Sequence, residues 1–147
     1  MGHFLIINGP NLNLLGRRDS ATYGKITLDG LKKALQARAK VLKATVDFYQ
    51  SNSEANLINF LQNKSADASG VIVNPASLSK IGYPLLDALI DAKLPFVEVH
   101  LSNIAVRENF RRESIFSRYA VGCVSGLGAR GYLYALQFLV ERNEDLG

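Results

Sequence analysis

The sequence predicts an α/β fold of the doubly wound class, a five-stranded parallel sheet in strand order 2-1-3-4-5 with helices on both faces. Two observations carry this expectation. Short apolar runs alternate with helical patterns along all 147 residues, and those runs are apolar nearly throughout, as strands buried on both faces must be.

The strand-type runs fall at residues 3–8, 44–49, 70–74, 96–99 and 120–125. Between the first two, Thr27 is suited to N-cap a helix whose inward face carries Leu28, Leu31, Leu35 and Ala39. Ser53 caps a second helix with Leu57, Ile58 and Leu61 inward, and Pro84 suits the first position of a third, before Leu85, Leu86 and Leu89. A final helix is expected over residues 131–142 with Leu133, Leu136 and Val140 inward. No repeat, linker or low-complexity run divides the chain, so residues 1–147 are read as one domain.

Composition narrows the function classes. Hydrophobic residues make up 48% and charged residues 20%, the balance of an ordinary globule and not of a disordered chain. Nothing approaches a membrane span, and the short apolar start reads as a strand without the basic leader of a signal peptide. Cys123 is the only cysteine and His3 and His100 the only histidines, so neither an internal disulfide nor a metal site at ligand spacing is expected. A cytoplasmic protein without a zinc site follows. The net charge of +4 is spread over scattered basic residues, several of them four positions from an acid, which argues against nucleic acid. A small anionic substrate suits so modest a bias.

In doubly wound sheets ligands bind beyond the carboxyl ends of the strands where the order reverses, here between the first and third strands. The segments that follow are Asn8-Gly9-Pro10-Asn11, Asn74-Pro75-Ala76-Ser77 and, after the fourth strand, His100-Leu101-Ser102-Asn103. Amides and an imidazole therefore converge. Gly126-Leu127-Gly128-Ala129-Arg130-Gly131 matches a dinucleotide fingerprint, but no second strand with a ribose-binding acid follows it, so it is read as a turn with close backbone packing. Ser77-Leu78-Ser79-Lys80 matches a serine-lysine nucleophile pattern without its companion motifs. Tyr23 lies in a polar segment between Gly16 and Gly24, the make-up of a mobile lid.

Five segments, in order and spacing, resemble the type II 3-dehydroquinate dehydratase family. They are Ile7-Asn8-Gly9-Pro10-Asn11-Leu12-Asn13-Leu14-Leu15-Gly16, the stretch from Arg17 and Arg18 to Tyr23 and Gly24, Gln50-Ser51-Asn52-Ser53-Glu54, Glu98-Val99-His100-Leu101-Ser102-Asn103, and Phe110-Arg111. The resemblance implies a flavodoxin-like hydro-lyase of the shikimate route that removes water from 3-dehydroquinate by anti elimination through an enolate. It makes Tyr23 the base, Arg18 the cation that stabilises its phenolate, His100 the acid for the departing hydroxyl, and Asn11 the holder of a water or the enolate oxygen. The same resemblance assigns the substrate carboxylate to Asn74 and the backbone N–H groups of Leu101 and Ser102. Ring hydroxyls fall to Lys80 and Arg111, while Asp87 reaches a neighbouring site across a subunit contact in a dodecamer of four trimers. Strand alternation puts Glu98 on the face of His100, where it can influence the orientation or proton of the imidazole.

Two positions depart from the family pattern: Lys80 stands where histidine is usual and Leu86 where arginine is common. Lysine keeps a donor and a fixed charge but loses the acceptor of a neutral imidazole. The alternative reading is therefore a paralogue with altered substrate or lost activity that binds a related cyclic hydroxy-acid. A Schiff base through Lys80 would leave Tyr23 without a purpose.

Overall fold

The computed structural model describes residues 2–17, 21, 25–108 and 113–146. Its five strands, β1 (His3–Asn8), β2 (Thr45–Gln50), β3 (Gly70–Asn74), β4 (Phe96–His100) and β5 (Gly122–Ser125), form one parallel sheet in the order β2-β1-β3-β4-β5. Among the described residues four α-helices connect or follow them: α1 (Leu28–Val41), α2 (Glu54–Lys64), α3 (Tyr83–Ala92) and α4 (Ala129–Leu146).

The helix starts follow the capping chemistry of the sequence. Thr27 and Ser53 are both extended, and their side chains accept hydrogen bonds from Gly30 N and Asn56 N. Helix α3 begins one residue earlier than its proline predicts, with Gly82 as N-cap and Tyr83 ahead of Pro84. Proline fits there because the first turn of a helix has no internal acceptor for its missing N–H. The last helix starts at Ala129, two residues before the expected position, because the turn at Gly126 and Gly128 already reverses the chain. Strand β5 is shorter than its apolar run: Tyr119 N and Ala120 N both bond to Phe116 O, so this part of the run forms a helical turn.

Period-two alternation along the strands divides the apolar residues between two cores. Phe4, Ile6, Ile72, Val97 and Val99 pack on one face with Leu31, Leu35, Tyr132 and Leu136 of α1 and α4. Leu5, Ile7, Val71, Val73 and Phe96 pack on the other with Leu57, Leu61, Leu85 and Leu89 of α2 and α3. These side chains are almost wholly buried, each contributing roughly 1.5–3 kcal/mol relative to exposure.

The switch point is held by close backbone approach. Gly9 N donates to Asn74 O at 2.8 Å, and a Cβ on Gly9 would lie 2.4 Å from Pro75 O. The Gly126 turn is also close, with φ at +85° and an added Cβ 3.0 Å from the Cβ of Asn103. Its GxGxxG pattern thus serves turn geometry and packing: Gly128 has a φ of +60° with open space about it, and Gly131 lies where a Cβ would meet Val124 Cγ1 at 2.9 Å. Gly9→Ala is expected to destabilise the protein by about 1–3 kcal/mol through this clash. Denaturant unfolding should show a lower midpoint with an unchanged slope; an unchanged midpoint would mean that Pro75 yields freely.

Candidate active site

Beyond the carboxyl ends of β1, β3 and β4 the structure opens a cavity of about 320 Å³, lined among others by Asn11, Asn74, Lys80, His100, Leu101, Ser102 and Arg107. Each side chain arrives there for a local reason. Asn11 has a left-handed backbone, φ 69°, which asparagine tolerates better than most residues. Its N–H donates to Asn52 Oδ1 at 2.8 Å, and Gln50 Nε2 donates both to Gly9 O at 3.1 Å and to the same Asn52 oxygen at 3.2 Å. The Gln50-Ser51-Asn52 segment after β2 therefore clamps the turn after β1.

Strand β4 carries Glu98 and His100 to the same face, as alternation requires, and here they touch. Glu98 Oε2 lies 2.6 Å from His100 Nε2, with the carboxylate 0% and the histidine 8% exposed. That contact occupies one ring nitrogen and leaves Nδ1 for a ligand. The other Glu98 oxygen accepts from Ser117 Oγ and lies 3.8 Å from Cys123 Sγ. Burial by itself would raise the Glu98 pKa, but hydrogen bonds with His100, Ser114 and Ser117 outweigh it and hold the group below the ordinary 4.5. Glu98 is thus an ionised carboxylate under the sheet end, and it fixes the orientation of the imidazole above it.

The loop after β4 is pinned from several sides. Ser125 Oγ donates to Ser102 O and accepts from Ile104 N, both at 3.1 Å. Asn103 caps the short 3-10 turn Ile104–Val106 by accepting from Ala105 N, and Gly128 N donates to Leu101 O at 3.0 Å. Among the described residues no acceptor is placed against the backbone N–H of Leu101 or Ser102. Two adjacent N–H groups at a cavity wall suit an anion. Arg107, which the sequence reading did not single out, also lines the cavity and donates to Ser102 Oγ at 3.1 Å. Its signal was its place seven residues after His100, one 3-10 turn beyond a binding loop.

Of the residues named from the sequence, Asn11, Asn74, Lys80, His100, Leu101 and Ser102 come together around this cavity. Asp87 does not: it is exposed on α3 and absent from the cavity lining. Leu86 is buried in the core beneath it, 4% exposed. Tyr23, Arg18 and Arg111 lie outside the described residues, as does most of the expected lid. No group of three or more His, Cys, Asp and Glu side chains among the described residues is arranged to hold a metal.

Comparison with known proteins gives this cavity its context. The family model "Dehydroquinase class II" matches residues 2–140. The chain is 48% identical to the 3-dehydroquinate dehydratase of Nitrosomonas europaea over 141 residues, covering 95% of this chain and 98% of that protein. It is 50% identical to the enzyme of the same name from Nitrosomonas eutropha over 139 residues, covering 94% and 96%. The solved type II dehydroquinase of Propionibacterium acnes superposes with a TM-score of 0.91 at 38% identity, over 96% of this chain and 97% of that one. Matched over nearly its whole length in both sequence and fold, the chain belongs to the class II dehydroquinase family.

Proposed function

We propose that this protein is a 3-dehydroquinate dehydratase of the shikimate route, a hydro-lyase that forms 3-dehydroshikimate and water by anti elimination. The observation that carries the reading is the buried Glu98–His100 pair, whose imidazole lines a cavity that also presents amides and two backbone donors to an anion.

Tyr23, as phenolate, takes a proton from the carbon next to the ketone, and the electron pair moves onto oxygen as an enolate. A free tyrosine titrates at ~10, so the step needs a cation beside the phenolate, and Arg18 on the same segment supplies it. Asn11 stabilises the enolate as a neutral donor, directly or through a water. The enolate then collapses, the carbon–oxygen bond breaks, and His100 delivers a proton to the departing hydroxyl. Ionised Glu98 holds the ring in register for that delivery. Asn74 and the N–H groups of Leu101 and Ser102 take the substrate carboxylate; Lys80 and Arg111 take ring hydroxyls. The paralogue reading is not favoured, because relatives matched along their whole length carry the dehydratase name.

The chain acts as one domain over residues 1–147, in the cytoplasm, without metal or organic cofactor, and as a dodecamer of four trimers in which Asp87 serves a neighbouring cavity. The support for this assembly is that Asp87 stands exposed beside Tyr83 and Ile90, which are 59% and 42% exposed on the same face of α3. Among the described residues no helix is long and apolar enough to cross a membrane.

Purified protein mixed with 3-dehydroquinate should show the rising absorbance of a conjugated enone, and Tyr23→Phe should lower the rate by roughly 10²–10⁴-fold. A folded protein that gives no rise would sink the assignment. The ionised state of Glu98 has its own test. Its folded pKa is depressed, so its contribution to stability is present above the unfolded value and is lost as pH falls through the folded one. Unfolding free energy of the natural protein should therefore drop more steeply below about pH 4.5 than that of Glu98→Gln. Parallel curves from denaturant titrations would show that Glu98 is not held as an anion.

A further inference from the structure

Asn8 and Asn74 face each other in register at the carboxyl ends of β1 and β3. Both continue the strand face that packs on α1 and α4, where the preceding positions are apolar. Between them stands the hydroxyl of Tyr132, from the first turns of α4 and 0% exposed. Tyr132 Oη donates to Asn8 Oδ1 at 2.7 Å and accepts from Asn74 Nδ2 at 2.9 Å. Asn8 Nδ2 in turn donates to Tyr49 O at 3.0 Å, and Asn74 Oδ1 accepts from Ala76 N at 3.1 Å.

Each bond in this chain fixes the direction of the next. A phenol has one proton to give. Asn8 turns its amide nitrogen to Tyr49 O, so its oxygen faces Tyr132 and takes that proton. The Tyr132 oxygen is then left as an acceptor only, which demands the NH₂ end of Asn74. Burial raises the pKa of the hydroxyl, so the proton that sets this direction stays in place.

We infer that Tyr132 is a positioning residue for anion binding: through its bond to Asn74 it fixes the amide so that the second N–H, and never the carbonyl oxygen, is offered to a carboxylate in the cavity. The inference rests on the proposed carboxylate end of the site at Asn74. An amide that turned over would present Oδ1 to the anion in part of the population, and like partial charges repel there. Loss of the Tyr132 hydroxyl removes one of the two bonds that hold each amide, leaving Asn8 with Tyr49 O alone and Asn74 with Ala76 N alone.

The test compares a non-reacting cyclic hydroxy-acid with its carboxamide, each titrated calorimetrically into the natural protein and into Tyr132→Phe. The variant should bind the carboxylate about 10- to 100-fold more weakly, as loss of a hydrogen bond to a charged group implies, while carboxamide affinity stays within about threefold. In turnover, KM should rise with kcat little changed, the mark of an interaction made equally in ground and transition states. Equal weakening of both ligands, or of neither, would overturn the inference. Should Tyr132→Phe not fold, a crystal structure of the natural protein with the same acid decides: Asn74 Nδ2 bridging Tyr132 Oη and the carboxylate supports it, and a carboxylate bound away from Asn74 refutes it. The enone assay on the natural protein is independent of these titrations, so failure of the dehydratase reading would be seen separately.

Discussion

A negative charge buried at the end of β4 is the constraint on which the site depends. The carboxylate of Glu98 is shut off from solvent in a sheet whose other buried positions are overwhelmingly apolar, and an unpaired ion there would cost several kcal/mol. The structure offsets that cost with donors from three directions: His100 on its own strand, and Ser114 and Ser117 from the segment before β5. That segment and the imidazole are therefore tied to one carboxylate. The orientation of the imidazole is maintained by one of the hydrogen bonds that make the charge tolerable.

The switch between β1 and β3 shows a second way of combining stability with a site. Parallel strands end there without a hairpin partner, so their terminal polar groups need other company. Backbone contact between Gly9 and Asn74 closes the gap, the Asn52 and Gln50 side chains support the turn at Asn11, and Tyr132 joins the two in-register asparagines from the helix side. The cavity wall is thus braced from behind: Tyr132, Gln50 and Asn52 are not among its lining residues, yet they hold Asn74 and the turn at Asn11.

Much of this was legible in the sequence because it is local. Thr27 and Ser53 announce their helices by capping chemistry that spans three residues, and the five apolar runs set both the strand count and, with the alternation of helices, the winding. Alternation also put Glu98 and His100 on one face. What alternation cannot give is contact, which depends on rotamers and on Ser117 arriving from a different segment. Tyr132 was unreadable for a stronger reason: its partners lie 124 and 58 residues away, and in a helix with Leu133, Leu136 and Val140 it reads as one more apolar position. The shortened β5 was misjudged because Ala120 and Val121 have strand composition while the backbone of the preceding segment closes a helical turn on Phe116.

The cavity is lined with donors of two materials. Some are main-chain N–H groups, those of Leu101 and Ser102, and another is a long, exposed side chain, Lys80. A point mutation replaces side chains but leaves a peptide N–H where it was, unless it introduces proline. The main-chain donors are consequently insulated from substitution, whereas the contribution of Lys80 can change with a single one. A ligand held by these main-chain donors would keep those contacts through side-chain substitutions that would cost it any contact with Lys80.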